Sequence, residues 1–331
     1  MLEYRCFSVM PASQDTFDPT IQSEDISFRR EELVTCECGR QNPPNRVDCL
    51  YCGRALDVKP EAVDKFVIRK LEPWEPGTNI LITSAGADIA RAAELLSLDR
   101  EQVEGILSAD VALPAARVDA KAASTVAAKL EEFGFGTRAI SDADLTPTKM
   151  PVRISAMQIT DGALIVIDFN SGAQYRHSWD ELMLLVQGFF STGKIDSMEK
   201  RRLRKTTVMA ETMTSADEPV FDLYVRDNKI GYRVQLAGFD YSCLGDQMAP
   251  LATENMMGLI QLIHSRSPEA QLVDGYKKIR HLLTGIWDIE SRKDPKGLQQ
   301  VGFGKREFGV VHSTSNIEQF TRFSRLQRLM L

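Results

Sequence analysis

The chain has 331 residues, 43% of them hydrophobic and 26% charged, with a formal net charge of −6. That length suits two or three domains, and the composition suits a soluble multidomain chain that buries real cores. No window approaches eighteen apolar residues, so no membrane-spanning helix is expected, and the acidic balance excludes a bulk nucleic-acid binder.

Residues 1–30 are polar and aperiodic and read as a loosely ordered leader. The stretch Met1 to Ser13 carries Glu3 and Arg5 and lacks an apolar run before a cleavage site, so it does not read as a secretory signal. Four of the six cysteines then fall within residues 31–57, as Cys36-Glu37-Cys38-Gly39 and Cys49-Leu50-Tyr51-Cys52-Gly53. Without an export signal the expected location is cytoplasmic, and in a reducing compartment clustered cysteines point to metal or redox chemistry. Two short cysteine pairs, each followed by a glycine that lets the backbone turn back, deliver four thiolates to a tetrahedral Zn2+. Asn42-Pro43-Pro44-Asn45 supplies the turn between them. Four sulfurs leave no open coordination position, so the expected zinc is structural. A redox pair at Cys49 and Cys52 would sit at the mouth of a βαβ unit, and none surrounds it.

This segment resembles the short zinc ribbons of bacterial multidomain proteins, in Asn42-Pro43 and in the closing Cys49 to Leu56. It departs from them at Cys36 and Cys38, where the ribbon pattern has two residues between the cysteines. A related class of finger reads single-stranded RNA with the same gap between pairs, but it has a Trp before the first pair where this chain has Val34 and Thr35. Arg40, Arg46 and Arg54 remain as phosphate contacts for that reading.

Residues 58–78, with Pro60, Pro73 and Pro76, read as a linker. From Asn79 the pattern becomes periodic. Strands are predicted at Asn79 to Thr83, Leu113 to Val118 and Thr137 to Ile140. Helices are predicted over 87–96, over 100–108 with Asp99 and Gln102 as a capping box, and from Asp119 to Gly134. The result is a β-α-α-β-α-β unit over 79–145. It resembles the C-terminal domain of the ribosomal stalk protein L7/L12 and its ClpS-like relatives. The resemblance lies in Ser84 to Ala87, in Leu113-Pro114 and in the helix Ala122 to Phe133 with its Lys129 to Gly134 ending. It implies a domain that binds other proteins and catalyses nothing. The lysine-rich first helices of the ribosomal domain are absent, so its translation-factor surface does not carry over.

Residues 150–331 read as a third, α+β domain on a mostly antiparallel sheet, for which a pleckstrin-homology-like arrangement is one candidate. Val152 to Ile159 and Ala163 to Phe169 form a hairpin around Asp161-Gly162, and Gln174 to Trp179 is a third strand. Asp180 to Phe190 reads as a helix burying Leu182, Leu185, Val186 and Phe189. Val220 to Val225 and Gly231 to Leu236 are strands, followed by helices near 246–264, 268–282 and 316–330.

Charge is unevenly spread. Residues 1–149 carry 17 Lys and Arg against 25 Asp and Glu, and the remainder 23 against 21. Lys194 to Lys205 holds six basic residues against two acidic, densest at Lys200, Arg201, Arg202, Arg204 and Lys205. It reads first as a solvated loop or helix face between strands, with a membrane or RNA surface as the competing reading. The last helix, opened by Ser315 and Glu318 as a capping box, stripes Ile317, Phe320, Phe323, Leu326 and Leu329 beside Arg322, Arg325 and Arg328. It is expected to close the third domain's core, the alternative being a helix lying on a membrane or in a partner's groove.

Enzymatic motifs are missing from the sequence. The four histidines lack metal-ligand spacing, Gly302 to Lys305 is too short for a phosphate cradle, and no nucleophile elbow occurs. Asp240, Cys243 and His264 read as packing rather than as a thiol site. The expected function is a non-enzymatic zinc-binding adaptor for another protein, with a peripheral membrane or nucleic-acid module as the alternative.

Overall fold

The computed structural model describes residues 33–43, 46, 48–56, 68–84, 86, 88–146, 149–202, 205–228, 230–302 and 305–331. The expected leader lies outside them. The chain divides into two units, Met1–Val67 and Ile68–Leu331.

In the first unit, β1 (Val34–Thr35) and β2 (Gln41–Asn42) pair antiparallel, with Val34 opposite Asn42. A second turn closes through an isolated bridge between Asp48 and Ala55. Its small core is Cys36, Cys49 and Leu56, with Val34 packed against them.

The second unit begins in the stretch expected as linker. Of residues 58–78, those up to 67 lie outside the described set; from Ile68 on, Leu71 and Gly77 are buried while most of the others, Trp74 among them, are exposed. Arg69 makes a two-pronged contact to Glu75 at 2.8 and 2.9 Å, and Arg117 reaches the carbonyls of Glu72 and Glu75.

The β-α-α-β-α-β order is found as expected. It comprises β3 (Thr78–Ser84), α1 (Ile89–Leu96), α2 (Arg100–Ser108), β4 (Pro114–Val118), α3 (Ala120–Glu132) and β5 (Gly136–Ser141). The strands form one antiparallel sheet in the order β4-β3-β5. Asp119 caps α3 by accepting from the N–H groups of Lys121 and Ala122, both at 2.9 Å. The helix ends in paired bonds, Phe135 N–H to Leu130 and Gly134 N–H to Glu131, a Schellman closure. The capping box expected at Asp99 is not formed. Asp99 makes no side-chain cap, and Gln102 instead donates to the carbonyls of Leu282 and Thr284 at 2.8 and 3.2 Å. A short α4 (Asp142–Leu145) follows β5.

The larger sheet has nine strands. In chain order these are β6 (Val152–Ile159), β7 (Leu164–Asp168), β8 (Gln174–His177), β9 (Leu182–Arg202), β10 (Lys205–Val225), β11 (Tyr232–Gln235), β12 (Gln271–Val273), β13 (Glu290–Gly302) and β14 (Lys305–Ser315). The spatial order is β13-β14-β9-β10-β11-β6-β7-β8, with β12 beside β9. The pairings are antiparallel except β11 with β6 and β12 with β9. The fold is thus α+β on a mostly antiparallel sheet.

Two expectations here are overturned. Asp180 to Phe190 is not an α-helix but the end of a 3-10 turn over Trp179–Glu181 followed by the start of β9, and 268–282 breaks into β12, a short α6 (Tyr276–Ile279) and a 3-10 turn over Arg280–Leu283. The run Leu182 to Phe190 is apolar at nearly every position because the strand is covered on both faces. Leu184 and Val186 face one apolar cluster, Leu182 and Leu185 the other. On β10, Phe221, Leu223 and Val225 face α5 (Ala252–Arg266), while Val220 and Tyr224 face α7 (Ile317–Met330) with its Phe320, Phe323 and Leu326. On that second face Asp222, fully buried, grips Arg233 at 2.6 and 2.7 Å, and Arg233 also donates to Thr321 at 3.0 Å.

The cluster around α7 also contains Leu81, Ile106, Leu113, Ile140 and Leu145. The boundary expected between 79–145 and 150–331 is therefore not a gap in packing: one apolar core runs through both. Trp287 donates to the Asn79 side chain at 2.7 Å, and Gln327 exchanges bonds with both backbone groups of Ala112 at 2.8 and 3.2 Å.

Candidate metal centre

Two turns of similar build present the cysteines. In the first, Gly39 N–H donates to the Cys36 carbonyl at 2.8 Å and Cys36 N–H to that of Arg40 at 2.9 Å. In the second, Gly53 N–H donates to the Cys49 carbonyl at 3.0 Å and Cys49 N–H to that of Arg54 at 2.7 Å. Gly39 and Gly53 sit at φ +79° and +69°, a conformation that costs little only without a Cβ. The chain reverses at each and lays its second cysteine beside its first.

The four sulfurs of Cys36, Cys38, Cys49 and Cys52 all lie within 4.8 Å of one another. Cys36 Sγ is 3.6 Å from Cys52 Sγ, and Cys38 Sγ is 3.7 Å from Cys49 Sγ. Disulfides bring sulfur atoms to about 2.05 Å, so neither contact is one. Thiolates at about 2.3 Å from a tetrahedral zinc stand about 3.8 Å apart, which the observed pairs approach. The single intervening residue in the first pair thus still brings its sulfur into the group.

Donors converge on Cys49. Tyr51 N–H lies 3.4 Å from its sulfur and the Asn42 amide 3.5 Å. Asn42 is fully buried, and its carbonyl oxygen accepts from Leu50 N–H at 2.9 Å. Burial raises the Cys49 thiol, but the N–H groups of Tyr51 and Cys52 and the Asn42 amide carry it down to about 6. At Cys36 the Cys38 N–H lowers the thiol, yet burial and the surrounding thiols of Cys52, Cys38 and Cys49 push it up to about 12. Four thiols cannot ionise together without a cation between them, and a divalent ion supplies what the cluster lacks. The donor set and spacing fit a metal held for shape.

Sequence reasoning picked out the four cysteines that cluster but read Asn42 only as a turn former. Pro44 and Asn45 of that expected turn lie outside the described residues. Two further features emerge only in three dimensions: Leu50 and Tyr51, between Cys49 and Cys52, are 54% and 63% exposed, and Arg40 lies over the Tyr51 ring at 5.3 Å. Arg54 pairs with Glu37 at 3.1 Å, and Arg46 donates to the Asp48 carbonyl.

The other candidate residues fall in two places. Lys200, Arg201 and Arg202 end β9 and Lys205 opens β10, so this run is the end of a hairpin rather than a loop or helix face; Arg204 lies outside the described residues. Arg322, Arg325 and Arg328 lie on α7, whose Phe320, Phe323 and Leu326 are buried in the core, with Ile317 packed against it and Leu329 exposed, as expected of a core-closing helix. Arg322 approaches Asp142 at 4.0 Å and Arg328 donates to the Arg226 carbonyl. The expected Ser315–Glu318 box is replaced by Asn316 at the cap position. Its side chain ties β9 to the helix through the Phe189 carbonyl and Ser191 N–H, at 2.9 and 2.7 Å.

A groove of about 1130 Å³ opens beside α7, lined among others by Lys70, Arg117, Asp288, Glu290, Glu318 and Arg322. Burial, with Glu318 alongside, pushes the Glu290 carboxyl up. Cys243 is half-buried, and burial raises its thiol to about 11, which suits a packed side chain rather than a nucleophile. Among the described residues no helix is long and apolar enough to cross a membrane.

Compared with known proteins, the chain matches no family model, no curated protein and no solved structure.

Proposed function

We propose that this chain is a non-enzymatic adaptor whose zinc ribbon displays a contact surface for another protein. One observation carries the reading. Between the ligands Cys49 and Cys52 the chain has only Leu50 and Tyr51, and both are turned outward where a globular chain would bury them. Arg40 lies over the tyrosine. Aromatic and Arg side chains held rigidly at a surface are the usual anchors of protein interfaces. A Zn2+ on Cys36, Cys38, Cys49 and Cys52 fixes the turn that presents them, and four thiolates leave the ion no position for substrate.

On this reading the 79–145 unit is a stalk-protein-like or ClpS-like binding module and the large sheet a pleckstrin-homology-like platform. Cytoplasmic residence follows from the same thiolate chemistry, since a reducing compartment keeps the ligands available.

The test replaces Leu50 and Tyr51 with Ser in the full chain and measures zinc content and partner capture together, at low and at high salt. The expected result is one zinc per chain in both proteins, with capture lost in the variant and insensitive to salt in the parent. Equal capture by both proteins removes the ribbon surface from the function. Absence of metal from reduced, tag-free protein removes the ribbon itself.

A further inference from the structure

The groove of about 1130 Å³ lies where three parts of the larger unit meet. Residues between Ile68 and Pro73, Leu96 to Leu98 with β4, and Thr284 to Arg292 with the first turns of α7 all line it. Clefts at such junctions are preferred places for ligands, and pockets for one small molecule hold about 300–1,000 Å³. This groove exceeds that range and has room for a stretch of polypeptide.

Its charged side chains cancel in pairs, with one exception. Lys70 reaches Asp288 at 3.1 Å, Arg117 reaches Asp142 at 2.7 Å and Arg292 reaches Asp294 at 2.9 Å, while Arg322 approaches Asp142 at 4.0 Å. Glu290 and Glu318 instead have each other. Both residues are exposed, and among the described residues neither has a basic partner. Partial burial and the adjacent Glu318 hold the Glu290 carboxyl above its ordinary value, the behaviour of two carboxyls with no cation between them. Apolar surface lies open next to this pair. Ile289, which lines the groove beside Glu290, is 48% exposed, and Trp74, next to the groove-lining Pro73, is 79% exposed.

We propose that this groove binds a segment of a partner protein in which a Lys or Arg stands among large apolar side chains. The cation sits between Glu290 and Glu318, and the apolar groups cover Ile289 and Pro73. The sign of the unmatched charge selects this occupant, because a nucleic acid or an anionic lipid would bring phosphates against two carboxylates. A free inorganic cation would satisfy the carboxyls but leave Ile289 in water. Arginine suits the pair best, since its several donors can serve both carboxylates at once. The site belongs to the larger unit, and its failure would leave the ribbon reading intact.

The test applies the full, zinc-loaded chain to an array of blocked octapeptides in which one Arg or Lys is set at every position among Leu, Phe and Ser. The best binder is then titrated in solution by fluorescence anisotropy, beside copies with Gln or Glu in place of the basic residue. The parent chain should hold the Gln copy about tenfold more weakly than the basic peptide and the Glu copy more weakly still. E290Q/E318Q should bind the basic peptide about tenfold more weakly and no longer distinguish it from the Gln copy. I289S should bind the basic peptide about fivefold more weakly, because less apolar surface is covered. E132Q/E269Q, altered on exposed residues elsewhere, should match the parent. Circular dichroism checks that the variants fold, and if one does not, the peptide series on the parent decides alone. No binding by any peptide, equal binding of the basic and Gln copies by the parent, or equal loss in E132Q/E269Q would overturn the proposal. So would a dimer of the parent that E290Q/E318Q takes apart, which would make a second copy the occupant.

Discussion

Asn42 shows how a single side chain can organise a cluster of four cysteines that could hold a metal ion. Its amide reaches the Cys49 sulfur and its carbonyl oxygen holds Leu50 N–H, so it aims one thiol and fixes the turn carrying the next. Asn42→Ala should weaken zinc binding roughly 10–100-fold, the usual effect of removing a ligand's supporting partner, as measured by competition with a chromogenic chelator. A comparable role falls to Asp142. Burial would raise its carboxyl, but Arg117 and Asn79, with the charge of Arg322, hold it below the ordinary carboxylate range. A depressed carboxyl stabilises the fold above the unfolded value of about 3.9 and loses that contribution as pH falls through the folded value. Asp142→Asn leaves Arg117 buried beside a neutral group and should cost about 3 kcal/mol near neutrality. The gap between parent and variant in melting temperature should narrow below about pH 4. The cysteines were legible because zinc demands a residue type and a spacing. Asn42 and Asp142 were not, because a buried polar side chain shows its partner only once the chain is folded.

Among the elements, those with a one-sided apolar pattern were legible, and those covered on both sides were not. Helix α3 announces itself by Asp119, by Ala123, Val126 and Leu130 on one face, and by its glycine stop. Strand β9 has no polar face in its first half, so Leu182 to Phe190 carries no period of two, and a helix fits it equally well. Gly188 within that run is the overlooked sign. A Cβ there would stand 2.1 Å from Phe320 Cε2 and 2.4 Å from Cδ2, so the missing side chain is what lets α7 lie against the sheet. Gly188→Ala should cost about 1–3 kcal/mol in denaturant unfolding. Phe320→Leu, harmful alone, should recover part of that loss when combined with it, because the two share one space. A glycine read as a helix position would instead gain stability on the same change. The basic hairpin was misread for a related reason: the sequence shows the charge run, while only strand register sets Arg202 opposite Lys205 and makes it a hairpin end.

For the whole molecule, the placement of cores sets what can be removed. The first unit has a small core of its own in Cys36, Cys49 and Leu56, with Val34, and the clusters around α5 and α7 belong to the second. Chelation should therefore unfold residues 36–56 and leave the melting of the larger unit unchanged, read by circular dichroism and limited proteolysis. Cutting within the larger unit should behave differently. Residues 79–145 look self-sufficient in sequence, with their own strands, helices and caps, yet Leu81, Ile106, Leu113, Ile140 and Leu145 bury themselves against Phe320, Phe323 and Leu326 of α7. Residues 150–331 produced alone would expose that face of α7. Trp287, 2% exposed, would also lose Asn79 as the acceptor of its indole N–H. Such a piece should show red-shifted Trp287 fluorescence, bind hydrophobic dyes and melt without a sharp transition, whereas residues 68–331 should melt as one cooperative unit. Two separate, sharp transitions from the 68–331 piece would show instead that its halves fold independently despite the shared core.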